Sequence, residues 1–360
     1  MNLKTIKFNW HWLLALVTLG VFMLAIASLY HMLHDLDVQE VKTALKAIPI
    51  SHLLGALVVV GIGYWILSFY DWLAIRYLKL SVSYSRVVFT SLTAYAVGHS
   101  VGLAVVSAGS VRYRLYSIVG LTPMQVAAIM VLVSVTFTFG ISFMAGVVLL
   151  LRPEMMTHML GQMLGWHLSA GIVQFIGGAL VVGIIGLALW AGPNGRRLHY
   201  KQWAVDMPSS KMLLMQTGAS VLDILTVALA LYILLPSGVS YLETLTAFVM
   251  SMVIGILSHV PGGLGVFEVV MLNTLTELPK AELAATLLIF RIFYYLLPFV
   301  IALLLLLGNE GFEQRSLIKS TYQSLRKRLS SYWLPDILLA VIVTVVGVLI
   351  LVSFALAHSF

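Results

Sequence analysis

The chain has 360 residues, 61% hydrophobic and 10% charged, against about 45–50% and about 25% in soluble domains, which excludes a water-soluble globular fold. The net charge of +7 does not point to nucleic acid, because the basic residues fall in short loops between apolar runs, where membrane orientation accounts for them. The absence of cysteine excludes disulfides, thiolate metal sites and a thiol nucleophile.

In chain order, apolar runs long enough to cross a hydrocarbon core of about 30 Å occupy 11–32, 52–75, 123–151, 170–192, 212–235, 281–308 and 333–357. The first has a second reading, since Lys4 and Lys7 ahead of it and Ala25-Ile-Ala27 at its end also fit a secretory signal. Two further apolar segments are interrupted. Gly98, His99, Gly102, Gly109 and Arg112 break 85–118, and the run His259-Val-Pro-Gly-Gly-Leu-Gly-Val-Phe-Glu268 breaks 242–276. Neither reads as one continuous helix. The expected fold is all-α integral membrane, a single transmembrane domain over 1–360 with about seven transmembrane helices and two re-entrant or broken-helix hairpins.

Residues 309–332 form a basic cytoplasmic linker before the last span at 333–357. Within it Ile318, Tyr322, Leu325 and Leu329 recur at helical spacing among Arg315, Lys319, Arg326, Lys327 and Arg328. This fits a helix lying on the inner leaflet, or an ordinary positive-inside loop.

Lys and Arg are retained on the cytoplasmic side. With a cytoplasmic N-terminus and each interrupted segment returning to the side it entered from, sixteen of the 21 basic residues fall inside. Only Lys42, Lys46, Arg152 and Lys280 fall outside, and Arg291 lies within a span. A single crossing by either segment would turn at least one strongly basic loop outward. The expected location is a bacterial-type inner (plasma) membrane, multi-pass.

A shift of 156 residues places Gly109 on Gly265, Arg112 on Glu268, Pro123 on Pro279 and Ala128 on Ala284. Ser134, Thr138 and Ser142 then fall on Phe290, Tyr294 and Pro298. The repeat cores are 85–151 and 242–308. Three full spans separate the two hairpins, so the repeat is inverted, with two tips expected to meet near the midplane as in many transporters.

A charge near the bilayer centre costs about 2.5–3.5 kcal/mol on insertion scales, so each buried one needs a reason. Arg112 and Glu268 follow the tip glycines and are expected to pair or to share a polar ligand. Asp223 shares a polar face with Gln216 and Ser220, fitting either a proton or ion relay or helix packing. Arg291 shares a face with Tyr294, Tyr295 and Pro298, a cation over an aromatic wall. Asp71 lies near Arg76, as a boundary pair or a functional acid. Gly109, Gly262, Gly263 and Gly265 would free backbone N–H groups at half-helix N-termini, where anions such as a lipid phosphate are attracted; close helix packing is their alternative reading. His99 and His259 have no carboxylate or second histidine at short ligand spacing, so no metal and no cofactor is expected. Nucleotide-hydrolysing, zinc-protease and serine-hydrolase motifs do not occur.

The stretch Gly109-Ser-Val-Arg-Tyr-Arg-Leu-Tyr116, the tip Pro261-Gly-Gly-Leu-Gly-Val-Phe-Glu268 and the helix Phe290-Arg-Ile-Phe-Tyr-Tyr-Leu-Leu-Pro298 together resemble the lysylphosphatidylglycerol synthase transmembrane family, over about residues 10 to 310. That family includes the flippase half of the multiple peptide resistance factor, which moves aminoacylated phosphatidylglycerol to the outer leaflet. Larger members continue into a soluble aminoacyl-tRNA-dependent transferase with no counterpart within these 360 residues. The resemblance therefore implies translocation of an aminoacylated or anionic phosphatidylglycerol rather than its synthesis, and no enzyme. Arg112 and Arg291 would lie near the phosphate and Glu268 near a cationic group. Besides membrane phospholipid, the expected partners are a second copy in a homo-oligomer and a separate lipid-modifying synthase. Two other classes stay open: a small-solute secondary transporter using Asp223, and a membrane enzyme acting on a lipid phosphate with Arg112 and a histidine.

Overall fold

A computed structural model of the protein describes residues 38–101, 104–165, 168–200, 203–258 and 260–313. The spans expected at 11–32 and 333–357, the linker beyond 313, Gly102 and His259 lie outside them. Helices α1 (Val38–Ala47), α2 (Ile50–Tyr77), α3 (Tyr84–Val101), α4 (Ala104–Ser117), α5 (Pro123–Leu151), α6 (Pro153–Leu164) and α7 (Ala170–Ala191) lead to a short antiparallel ribbon. This ribbon pairs β1 (Arg197–Tyr200) with β2 (Trp203–Asp206). Then follow α8 (Ser210–Leu234), α9 (Tyr241–Leu257), a tip at Pro261–Gly263, α10 (Val266–Thr274) and α11 (Lys280–Arg291). A π-helical segment, Ile292–Leu296, joins α11 to α12 (Leu297–Glu313).

Among the described residues five helices are long and apolar enough to cross a membrane: α2, α5, α7, α8 and the run Lys280–Leu306. They coincide with the five expected spans that fall among the described residues, and the protein is an all-α membrane protein. Their ends follow from local chemistry. Thr122 and Gln125 form a capping box at the start of α5, Ser209 caps α8, and Ser240 with Glu243 boxes the start of α9; each satisfies backbone N–H groups that have no partner within the helix.

The interrupted segments are each two short helices packed side by side, α3 on α4 and α9 on α10. Helix boundaries recur at the shift of 156: Tyr84–Val101 falls on 240–257, against Tyr241–Leu257 for α9, and Pro123 falls on Pro279, one residue before α11. One continuous core runs through α2, α5, α8, α9 and α11. Helix α7 stands outermost, with Phe175, Val182 and Leu189 exposed, as side chains that meet acyl tails would be. Small residues let the helices close. A Cβ on Gly146 would lie 2.8 Å from the Gly177 carbonyl oxygen, and one on Gly177 2.7 Å from that of Gly146, so α5 and α7 cross backbone on backbone.

The sequence reading passed over α1, α6 and the ribbon as loops. Pro153 at the first turn and left-handed Gly165 past the end are ordinary helix punctuation for α6. Helix α1 buries Val41 and packs on α11.

The protein's lack of cysteine makes orientation directly testable. Single cysteines at Ser209, which begins α8, and Ser237, exposed past its end, are expected to react from the cytoplasm only and from outside only, respectively. Reaction of both from one side would refute α8 as a single crossing.

Candidate functional site

Two buried ion pairs and an aromatic column make the polar interior. The first pair joins the first helix pair to α2. Arg112 on α4 forks onto Asp71 on α2, Nε to Oδ1 at 2.8 Å and Nη2 to Oδ2 at 2.9 Å. Their side chains are 4% and 0% exposed. Tyr116 donates to Asp71 Oδ1 (3.2 Å) and Ser91 to Oδ2 (3.1 Å), while the guanidinium lies 4.6 Å from the centre of the Tyr95 ring. A planar donor fork on a carboxylate, with further donors on each oxygen, is the geometry that offsets desolvation of two charges.

The second pair belongs to the glycine tip. Arg291 Nε donates to Glu268 Oε1 at 2.6 Å, and Nη1 to the carbonyl oxygen of Gly262 at 3.0 Å. Glu268 Oε2 accepts the Gly265 N–H at 2.9 Å. The guanidinium lies 4.5 Å from the Tyr295 ring centre and 5.3 Å from that of Phe267. One arginine thus clasps both ends of the turn 262–268. The turn needs its glycines, because Gly262, Gly263 and Gly265 have φ of 63°, 61° and 79°, a region costly for residues with a Cβ.

Between the pairs runs a stack of rings. Phe267 stacks on Phe290 (6.1 Å, 13°), Phe290 on Tyr294 (5.5 Å, 7°), and Tyr294 on His99 (5.5 Å, 24°). The column begins at the glycine tip and ends on α3, whose His99 also meets Tyr95 at 5.6 Å. At this junction a Cβ on Gly262 would sit 3.6 Å from the His99 carbonyl oxygen, so the two helix pairs touch here. The π segment gives the place its shape. Pro298 has no N–H to offer the Tyr294 carbonyl one turn earlier, and the Tyr64 hydroxyl donates to that oxygen instead (2.9 Å). Ser100 does the same for Tyr295 (3.0 Å).

Asp223 lies apart from both pairs. Its Oδ2 accepts from the Tyr70 hydroxyl at 3.0 Å, and its Oδ1 has no partner.

Several expectations change. Arg112 and Glu268 do not pair: each is held by another group, Asp71 and Arg291, because the guanidinium of α4 faces α2 rather than the second tip. Asp71 does not bridge Arg76, which is exposed and lies over Trp72 at 5.1 Å. Gly109 is inside α4, not at a tip, and packs against Met130, to which a Cβ would come within 2.5 Å. The donors expected to be free at the second tip are taken, the Gly265 N–H by Glu268 and the Gly263 N–H by the Val260 carbonyl (2.9 Å). Arg291 does sit over Tyr295, but Tyr294 turns away into the column. Sequence reasoning missed Tyr70, Ser91, Tyr95, Tyr116, Phe267 and Phe290. A signal existed for some: Ser91, Tyr95 and His99 recur every four residues, one face of α3.

No family model matches the chain. An uncharacterized protein of Synechocystis sp. is 31% identical over 299 residues, 82% of this chain and 91% of that protein. The inner membrane protein YbhN of Escherichia coli is 27% identical, over 86% of this chain and 96% of that protein. Phosphatidylglycerol lysyltransferase of Staphylococcus haemolyticus is 24% identical over 82% of this chain, which spans 34% of that enzyme's length. Matched along most of its length to all three, with a transmembrane core built from the helices that carry the expected motifs, the chain belongs to the lysylphosphatidylglycerol synthase transmembrane family.

Proposed function

We propose that the protein moves a phospholipid, of aminoacylated or anionic phosphatidylglycerol type, between the leaflets of a bacterial inner membrane, and that it does so as a translocator rather than an enzyme. In this reading α3–α4 and α9–α10 are re-entrant hairpins of an inverted repeat, entering from opposite sides and meeting near the midplane. The relatives named as an inner membrane protein and as phosphatidylglycerol lysyltransferases favour the membrane and the lipid class.

The observation that carries the reading is the Arg291 clasp. The guanidinium spends Nε and Nη1 on Glu268 and Gly262, and its buried Nη2 has no hydrogen-bond partner. A buried, unsatisfied donor on a charged group is unfavourable unless something completes it. A phosphate oxygen has the right charge and geometry. A headgroup with one ammonium beside its phosphate, as in an ester of phosphatidylglycerol with a neutral amino acid, would permit an exchange of partners in which Arg291 turns to the phosphate while Glu268 takes the ammonium, leaving no charge uncompensated; a lysyl ester would bring one further ammonium. Opening the clasp would also release the turn 262–268 and part the two hairpins at His99.

In spheroplasts that make aminoacylated phosphatidylglycerol, producing this chain is expected to raise the fraction of that lipid reached by a membrane-impermeant amine reagent. An unchanged fraction, with the protein shown to be in the membrane, would overturn the proposal.

A further inference from the structure

The buried charges of the interior do not balance. Among the described residues two guanidinium groups, Arg112 and Arg291, each have a carboxylate partner, and a third buried carboxylate, Asp223, has none. Its one hydrogen bond comes from Tyr70. Two further polar residues share its face of α8: Ser220 one turn before it and Gln216 two turns before it. Gln216 and Ser220 are 0% exposed and Asp223 5%, and neither the oxygen nor the nitrogen of the Gln216 amide has a partner. The stripe is sealed rather than lipid-facing. Gly140 on α5 lies so close to Ser220 that a Cβ there would collide with its hydroxyl and come within 3.1 Å of its carbonyl carbon.

Among the described residues the titratable side chains traced outward from Asp223 are hydroxyls: Tyr70 of α2 donates to it, and the Tyr70 ring meets that of Tyr95 of α3 at 6.1 Å. Helix α5 presents no titratable residue, and the Arg291 of α11 is committed to Glu268. A lone carboxylate in a low-dielectric interior is costly unless a positive charge joins it. Among the described residues no cluster of three or more His, Cys, Asp or Glu could hold a multivalent metal. What remains is one carboxylate and the Ser220 hydroxyl one turn away, an oxygen set suited to a single positive charge.

We propose that Asp223, with Ser220, binds one monovalent cation, a proton or a sodium ion, whose exchange is coupled to lipid movement. The coupling, though not the binding, rests on the translocation reading above. The stripe runs about 10 Å along α8 from Gln216 to Asp223, so Gln216 is a polar step toward the Lys211 end of the helix rather than a ligand to the same ion. Asp223 accepts from Tyr70, whose ring meets that of Tyr95 at 6.1 Å, and Tyr95 meets His99, where the aromatic column ends at the junction of the helix pairs, at 5.6 Å. Loading and unloading a charge there is thus relayed through Tyr70 and Tyr95 to the groups where the hairpins meet.

Two measurements separate binding from coupling. In the first, the full-length protein in detergent is heated at fixed ionic strength across a series of sodium concentrations balanced with choline, and across a pH series. A ligand bound by the folded state alone raises stability with its concentration. The wild type is expected to gain stability with sodium or with acidification, whichever ion is bound, and Asp223→Asn to lose that response. Ser220→Ala supplies a variant that should fold: as a merely packed hydroxyl it would keep the wild-type response, whereas as a ligand it weakens the response. Equal sodium and pH responses in wild type, Asp223→Asn and Ser220→Ala would overturn the site.

In the second, the protein is placed in phosphatidylcholine–phosphatidylglycerol vesicles with a tracer of fluorescent phosphatidylglycerol. A tenfold gradient of the coupled cation is expected to skew the leaflet distribution by up to about tenfold, and Asp223→Asn to abolish the skew. Lipid movement without any skew overturns the coupling alone. A cation response through Asp223 without lipid movement leaves the binding site standing and refutes translocation.

Discussion

Arg112→Gln is expected to lower stability by about 3–5 kcal/mol, because it leaves Asp71 buried and charged with only the hydroxyls of Ser91 and Tyr116 as partners. Asp71→Asn should cost a similar amount by stranding the guanidinium over Tyr95. The two losses should not add. With both charges gone, the double variant Asp71→Asn/Arg112→Gln is expected to recover part of the loss, with a coupling of about 0.5–3 kcal/mol, the range for residues in direct contact. Arg112→Gln combined with Glu268→Gln is expected instead to be additive within about 0.5 kcal/mol, since the two residues share no partner. Survival of monodisperse protein after heating measures all of these. Coupling between residues 112 and 268, with none between 71 and 112, would contradict the arrangement of the interior.

The second large effect is expected at the clasp. Arg291→Lys keeps the charge but replaces a planar fork by a single point of attachment, so it cannot hold Glu268 and the Gly262 carbonyl as arginine does. Stability should fall modestly, while lipid movement should fall by about tenfold or more, the equivalent of at least 1.4 kcal/mol. Glu268→Gln should be worse for folding, because it leaves Arg291 without its counter-charge and weakens the acceptor of the Gly265 N–H. Leucine at Gly262 or Gly263 acts by another route. Neither position is crowded, the nearest atoms to a new Cβ lying at 3.6 and 3.9 Å, yet left-handed φ at each adds about 1–2 kcal/mol of backbone strain. Leucine at either position therefore acts on the backbone of the turn as well as by filling space. If Arg291→Lys moved lipid at the wild-type rate, the clasp would be a structural fastening and no more.

The spans were legible because their signal is length and apolarity, and those two properties suffice wherever backbone groups must be satisfied within the helix. The breaks in 85–118 and 242–276 were legible for the same reason: glycine, proline and charge clustered together are not accommodated in one continuous lipid-facing helix. Partner choice was not legible. Arg112 and Glu268 stand at equivalent positions of a repeat and carry opposite charge, which invites pairing. Which neighbour a guanidinium meets depends on the rotation of α4 against α2, and Asp71 sits 41 residues away in sequence. The aromatic wall beside Arg291 could be read from the spacing of one helix. The column that continues it could not, since Phe267 and His99 arrive from two other elements. Helices α1 and α6 were not legible because short amphipathic segments lack the long apolar run that identified the rest.

The most direct test of the central claim is transport itself. Purified protein is reconstituted into phosphatidylcholine–phosphatidylglycerol vesicles carrying fluorescent phosphatidylglycerol in both leaflets, and an impermeant quencher is added outside under imposed pH or sodium gradients. Translocation through the hairpin junction predicts that inner-leaflet fluorescence also becomes accessible, in a phase absent from protein-free vesicles and slowed about tenfold or more by Arg291→Lys. An inner-leaflet share that stays protected under every gradient, with folded protein in the vesicles, would contradict it.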